Sequence, residues 1–367
     1  MIHVMRTPRS VDLELTSRCN LRCRYCYYMG NDGVTYQDMP TERWLGLFEE
    51  LGRAKVMSVC LSGGEALLRP DFFDLLDGLI RHRMRFQLLT NGGQVTTEVA
   101  RRLQATGRCD AVQVSLDGSR AETHEVMRGK GSFAPALNAI YLLRDAGLPV
   151  TVRATIHAHN IEDLPALAQL LLEEIGLPSV STNAISSLGT PAKYGDDLFL
   201  PPALRLRAMR VLAELDLRYG GRIEASAGPL AEWKMFHEME AARRDGAALP
   251  QRGRLTGCGC IFSRLAVRAD GAYIPCVMLP QMVLGYAGQD PLQEVWRNAP
   301  QFNELRERIR IPLTAFDRCR DCAYSGLCTG NCAGTSLSSS GDPNQPSLEG
   351  CLNLFQQALA TEGLSLW

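Results

Sequence analysis

The chain has 367 residues, 46% of them apolar and 22% charged, and its 39 Lys and Arg against 40 Asp and Glu leave a formal net charge of −1. That balance excludes a broad polyanion-binding surface, so no nucleic-acid partner is expected, and the length suffices for one large α/β domain plus a smaller one. No apolar run is long enough to span a bilayer and the start, MIHVMRTPRS, lacks the apolar stretch of a signal peptide, so no membrane partner and a cytoplasmic location are expected.

In chain order, the first predicted strand is VDLEL (11–15), followed at once by CNLRCRYC (19–26). Further strands are predicted at 56–62, 85–90, 111–116, 150–156 and 179–185, separated by amphipathic stretches such as DFFDLLDGLI (71–80), whose apolar residues fall at helical spacing. In AVQVSLDG, Gln113, Ser115 and Asp117 share one face; in VTVRATI, Thr151, Arg153 and Thr155 do. A doubly wound sheet is apolar on both faces, so an enclosed polar face favours a barrel lumen. The expected fold class is α/β, a partial (β/α)6 TIM-like barrel with a small cysteine-rich C-terminal domain.

Residues 186–200 read as a loop, 203–220 as a helix closed by Gly220 and Gly221, and the charged, Gly-rich stretch 241–257 as a linker. From Cys258 the chain turns to short, cysteine-punctuated segments that end in an apolar helix over 352–360. The expected division is 1–200 for the barrel, 201–257 for a helical linking region and 258–367 for the cysteine-rich domain.

Eleven of the thirteen cysteines form two groups, 19/23/26 and 258/260/276/319/322/328/332/351. In a reducing compartment such spacings read as metal or cluster ligands rather than disulfides. Three thiolates directly after the first strand, at the mouth where such barrels carry their sites, can hold three irons of a [4Fe–4S] cube and leave the fourth open. A zinc site completed by a distant residue is the alternative for this spacing alone.

The loop resembles that of radical S-adenosylmethionine enzymes, C-x3-C-x-aromatic-C, with Cys19, Cys23, Tyr25 and Cys26 in the four marked positions. The resemblance implies that the open iron chelates the methionine moiety of S-adenosylmethionine. One electron then breaks a sulfonium C–S bond, and the resulting 5′-deoxyadenosyl radical abstracts hydrogen from a substrate. It also implies that Tyr25 packs against the adenine and that Ser62, Gly63, Gly64 and Glu65 hold the methionine amino group. Thr90-Asn91-Gly92 resembles a further pocket element; a plain loop is its alternative. By the same resemblance Ser115, with Asp117 behind it, contacts the ribose, Arg128 of HEVMRG orders the site, and Arg153 pairs with the methionine carboxylate. The alternatives are a surface arginine for Arg128 and an internal salt bridge to Asp117 or Glu14 for Arg153.

Cys260, Gly271 and Cys276 give C-x10-G-x4-C, and Cys319, Cys322, Cys328 and Cys332 give C-x2-C-x5-C-x3-C, with Cys351 last. This resembles the SPASM extension of the same superfamily. With Cys258 there are eight thiols, enough for two thiolate-ligated [4Fe–4S] clusters. The resemblance assigns Cys258, Cys260, Cys276 and Cys332 to one and Cys319, Cys322, Cys328 and Cys351 to the other, three clusters in all. A pair of zinc ribbons is the alternative. The short Cys258–Cys260 spacing leaves open that one of the two is free, giving an open iron or a hydrogen-donating thiol. Cys60 and Cys109 read as small buried hydrophobes.

Three branches share this architecture: sulfatase maturation, modification of ribosomally made peptides, and chemistry on small molecules such as aminoglycosides or cyclitols. Sulfatase maturases carry an aspartate base directly after the cysteine of G-x4-C; Val277 stands there, and Asp290 lies too far along to replace it. About ten residues precede the first strand, too few for a leader-binding module, so either a separate leader-peptide-binding protein or a short or non-peptide substrate is expected. Peptide crosslinking, epimerisation or oxidation is ranked first, small-molecule dehydrogenation or epimerisation second. Sulfatase maturation and a non-catalytic iron–sulfur electron-transfer protein remain open behind them. A flavodoxin or ferredoxin is the expected reductant.

Overall fold

In the computed structural model, residues 4–28, 36–189 and 198–367 are described. Seven strands run in parallel: β1 (Ser10–Thr16), β2 (Ser58–Gly63), β3 (Arg85–Thr90), β4 (Cys109–Ser115), β5 (Val150–Ile156), β6 (Val180–Ala184) and β7 (Ile223–Ala225). The crossovers between the first five carry α1 (Thr41–Arg53), α2 (Phe72–Arg81), α3 (Thr97–Ala105), and then α4 (Ala121–Arg128) with α5 (Phe133–Asp145). α6 (Leu164–Gln169) and a π turn over Leu170–Glu174 lead to β6, and the helix Pro202–Arg218 leads to β7. The expected partial barrel is thus present, with a seventh short strand that three residues were too few to announce through periodicity.

Alternation decides what each strand face touches. Val11, Leu13, Val59, Leu61, Val112, Val114, Val152 and Ala154 are at most 2% exposed and pack under the helices. Each such side chain contributes about 1.5–3 kcal/mol through burial. The opposite parity, Asp12, Glu14, Cys60, Ser62, Gln113, Ser115, Thr151 and Arg153, lines the inner face.

The sheet does not end at β1. There β8 (Arg264–Val267) joins in parallel, with Asp12 opposite Ala266, and β9 (Ala272–Ile274) and β10 (Gly285–Tyr286) follow antiparallel. The ten-stranded order is β10-β9-β8-β1-β2-β3-β4-β5-β6-β7. The cysteine-rich segment is therefore bonded directly to the barrel.

The stretch 241–257 departs from the expected linker. The helix Pro229–Asp245 runs into it, and beyond the helix Gly253 N donates to Cys328 O (2.9 Å) and Thr256 N to Thr329 O (2.7 Å). Its charges belong to a solvated helix face, where Arg243 and Arg244 pair with Glu240. The opposite face packs Phe236 and Met239 against Phe355 and Leu359 of the C-terminal helix Leu352–Thr361. Of the loop expected over 186–200, residues 190–197 lie outside the described residues. Among the described residues no helix is long and apolar enough to cross a membrane.

Candidate active site

The three-cysteine loop leaves the end of β1 and rests on the end of β2. Asp38 fixes its start by accepting from Ser17 N (2.9 Å). Gly64 N donates to Thr16 O and Glu65 N to Arg18 O, both at 2.8 Å. A Cβ on Gly64 would stand 2.2 Å from the Arg18 carbonyl oxygen and 3.1 Å from Cys19 Cβ, and Gly63 has φ +122° with Thr16 O at 2.4 Å from its notional Cβ. Both glycines are needed because the loop backbone lies on them.

Glu65, 1% exposed, accepts from Thr90 Oγ1 (2.9 Å), Asn91 N (2.8 Å) and Leu67 N (3.3 Å), joining the β2 and β3 ends. Asn91 Nδ2 in turn donates to Asn20 Oδ1 (2.8 Å) and lies 3.8 Å from Cys19 Sγ. Two sequence-marked segments, 62–65 and 90–92, thereby converge on the three-cysteine loop. Burial raises the Cys19 thiol, and it pushes Cys23 up to about 12. These two thiols thus favour their protonated forms, and binding a metal would release the protons.

On the far side of the loop Asp117, fully buried, accepts from Arg128 Nε (2.7 Å) and Nη2 (3.1 Å), from Thr155 N (2.9 Å) and from Tyr25 Oη. Burial works to raise this carboxyl, but the Arg128 guanidinium overrides it and holds the group below its usual range. Arg128 is 7% exposed, so the surface-arginine alternative fails. His124, His157 and Asn160 complete this cluster without having been singled out in the sequence. His124 Nδ1 accepts from Asp117 N (3.1 Å), Asn160 Nδ2 donates to Asp117 O (2.9 Å), and the His157 ring stacks 6.5 Å from Tyr25. Their one signal was position, polar groups just after β4 and β5 at the mouth.

Arg153 lies opposite Ser115 in the β4–β5 register. With Asp117 taken by Arg128, the internal salt bridge foreseen as its alternative is not formed; among the described residues Arg153 has no ion pair, and its Nε is buried without an acceptor. Burial lowers its pKa, opposed by the nearby Cys60 and Tyr27. Cys60 therefore faces the lumen rather than the packed core. Glu14, 1% exposed, also has a buried oxygen, Oε2, without a donor.

The other eight thiols fall into two sets. Cys258, Cys260 and Cys276 lie close enough to perturb one another, Cys260 being raised while Cys258 and Cys276 are lowered, and Cys332 senses Cys276 and Cys258. Cys319, Cys322, Cys328 and Cys351 line one cavity with Leu313 and Tyr324. Among the described residues no three His, Cys, Asp or Glu side chains meet closely enough to hold a single metal ion. A cubane asks something different, thiolates that each reach their own iron.

The comparisons with known proteins match this arrangement. Residues 13–171 match the radical SAM superfamily and residues 258–323 match SPASM, an iron–sulfur cluster-binding domain. The mycofactocin maturase MftC of Mycobacterium tuberculosis is 30% identical over 334 residues, 89% of this chain and 78% of the relative.

The chain belongs to the radical SAM superfamily.

As a radical SAM enzyme with a SPASM domain it binds S-adenosylmethionine and iron–sulfur clusters. It is also similar to the AdoMet-dependent heme synthase of Methanosarcina barkeri, 29% identical over 354 residues, 93% of this chain and 96% of that one. The fold resembles SuiB of Streptococcus suis bound to its precursor peptide SuiA, with a TM-score of 0.72, 15% identity, and 95% of this chain and 77% of SuiB covered. The residues at the mouth suit the cofactor. Three cysteines share one loop on a glycine seat, and a guanidinium with no ion pair among the described residues faces the polar lumen, which is where a carboxylate-bearing, iron-chelated ligand would be held.

Proposed function

We propose that this radical SAM/SPASM enzyme abstracts hydrogen from a residue of a ribosomally made peptide. The observation that carries the proposal is the Cys19/Cys23/Cys26 loop seated on Gly63 and Gly64, together with the Arg153 guanidinium, which has no ion pair among the described residues. In this reading a [4Fe–4S] cluster on those three cysteines supplies, when reduced, the electron that cleaves S-adenosylmethionine to the hydrogen-abstracting radical.

The chain's own residues do the rest. Gly63 and Gly64 let backbone approach the methionine ammonium, and Ser62 and Glu65 flank it. Arg153 holds the carboxylate, Ser115 meets the ribose, and Tyr25, fixed by Asp117 and Arg128, packs on the adenine with Asn91 beside the loop. Cys258, Cys260, Cys276 and Cys332 hold one auxiliary [4Fe–4S] cluster and Cys319, Cys322, Cys328 and Cys351 the other, three clusters in all. A flavodoxin or ferredoxin supplies electrons, and a separate protein presents the leader peptide.

Likeness to a mycofactocin maturase supports the peptide. A second reading, a small-molecule substrate, is favoured by the heme synthase relative, 96% of whose length is matched. Anaerobic turnover with S-adenosylmethionine and dithionite, supplied in parallel with candidate precursor peptides and with an iron porphyrin, separates them. A mass change in the peptide supports the first reading. A change in the porphyrin alone replaces it with the second.

A further inference from the structure

Two arginines close together in the chain, Arg306 and Arg308, are each 1% exposed, and among the described residues neither has an ion pair. A guanidinium withdrawn from water needs compensation. For Arg306 it is visible: the group lies 4.6 Å from the Trp296 ring centroid and 4.0 Å from that of Phe302. It also donates to Ile261 O (2.8 Å) and Asn303 Oδ1 (2.9 Å), leaving Nη2 buried without an acceptor.

Arg308 has no such aromatic partner among the described residues. It donates to Pro343 O and, at 3.4 Å, to Asn331 O, while its Nε is buried without an acceptor. The acidic groups near enough to act on it are Cys332, Cys260, Cys258 and Asp342. Asp342 is already engaged, accepting from Asn344 N (2.8 Å) and Gln345 Nε2 (3.2 Å). Arg308 is thus anchored next to one of these cysteines, on the carbonyl of Asn331 just before Cys332, within reach of the thiols at 258, 260 and 332.

We propose that Arg308 is the built-in counter-cation of the auxiliary site formed by Cys258, Cys260, Cys276 and Cys332, raising the reduction potential of the iron–sulfur cluster held there. The inference rests on assigning that cysteine set to a cluster, as proposed above. Four thiolates make a [4Fe–4S] cluster net negative, and reduction adds one more negative charge. A fixed cation beside the thiolates favours the reduced form, as burial and charged neighbours do at such centres generally. Arg308 acts through the cluster, so it is a positioning and tuning residue. Arg306, held by rings and carbonyls, serves packing.

The test is a potentiometric EPR titration of the anaerobically reconstituted full chain carrying C19A, C23A and C26A, so that only auxiliary clusters report. Arg308→Gln should make one auxiliary couple at least tenfold harder to reduce, 59 mV for a one-electron couple, and leave the other in place. Arg308→Lys, which keeps the charge, should retain most of the parent value. Equal potentials in all three fully loaded proteins would overturn the inference. So would equal shifts in the Lys and Gln variants, since the hydrogen bonds to Asn331 and Pro343 would then be the whole role. If Arg308→Gln fails to load, retained iron decides: Lys loading where Gln does not supports the proposal, and loss in both contradicts it. A parent without auxiliary iron is a separate result, which removes the cysteine assignment itself and the inference with it.

Discussion

Arg128 grips Asp117 with two parallel bonds, Nε to Oδ2 at 2.7 Å and Nη2 to Oδ1 at 3.1 Å, in a place closed to solvent. The pair ties α4 to the end of β4 and, through Tyr25 Oη, to the three-cysteine loop. Fold and site share this joint.

Breaking it from one side leaves an uncompensated buried charge. Arg128→Met or Asp117→Asn should each cost about 3–5 kcal/mol, and the double variant less than their sum. Because the folded carboxyl is held below its ordinary value, the pair's contribution is complete above the unfolded carboxylate range and disappears as pH falls through the folded pKa. Thermal unfolding of the anaerobic protein across acid pH reads both; additive losses would show that the two residues do not act as a pair.

Two buried histidines set a different pH limb. Burial lowers His157 from 6.5 to about 4 and His124 likewise. The unfolded chain binds more protons between those values, so stability is full above pH ~6.5 and falls as pH drops towards ~4. For each histidine the loss approaches roughly 3 kcal/mol, at ~1.4 kcal/mol per unit. Unfolding of His157→Gln against pH should show a flatter limb; an unchanged slope would show that His157 does not titrate this way.

Gly64→Ala places a methyl 2.2 Å from the Arg18 carbonyl and must displace the loop. The expected loss is about four of about twelve irons, with the auxiliary clusters retained. Iron and sulfide analysis after anaerobic reconstitution checks this; full iron content would mean that the loop tolerates the side chain.

Arg153→Ala should weaken S-adenosylmethionine binding by about 2–5 kcal/mol, the worth of one partner in a desolvated charge pair. Equilibrium dialysis of the loaded enzyme measures it. Unchanged affinity would return Arg153 to a role in the scaffold.

What the sequence made legible is what period-2 alternation and cysteine spacing encode. β1 to β6 followed from apolar residues facing helices and polar ones facing the lumen, and the eleven clustered cysteines from their intervals. β7, with three residues, is too short for a period to show. The helix Pro229–Asp245 was masked because Arg243 and Arg244 on its solvated face resemble linker composition. Asp117 could be seen at a strand end, but its choice of Arg128 over Arg153 depends on where α4 docks. Cys60 read as a core residue because its thiol is apolar, whereas strand parity turns it to the lumen. Arg308 carried no motif; what picks it out is a buried guanidinium with no ion pair among the described residues, bonded to the carbonyl just before Cys332.

The central claim is that the Cys19, Cys23 and Cys26 site cleaves S-adenosylmethionine reductively, and the most direct measurement is the 5′-deoxyadenosine formed by the dithionite-reduced, fully loaded enzyme. The account expects steady formation by the native chain and none by the variant carrying C19A, C23A and C26A with its auxiliary iron intact. Absence of product from the native chain, or its persistence in that variant, would contradict it.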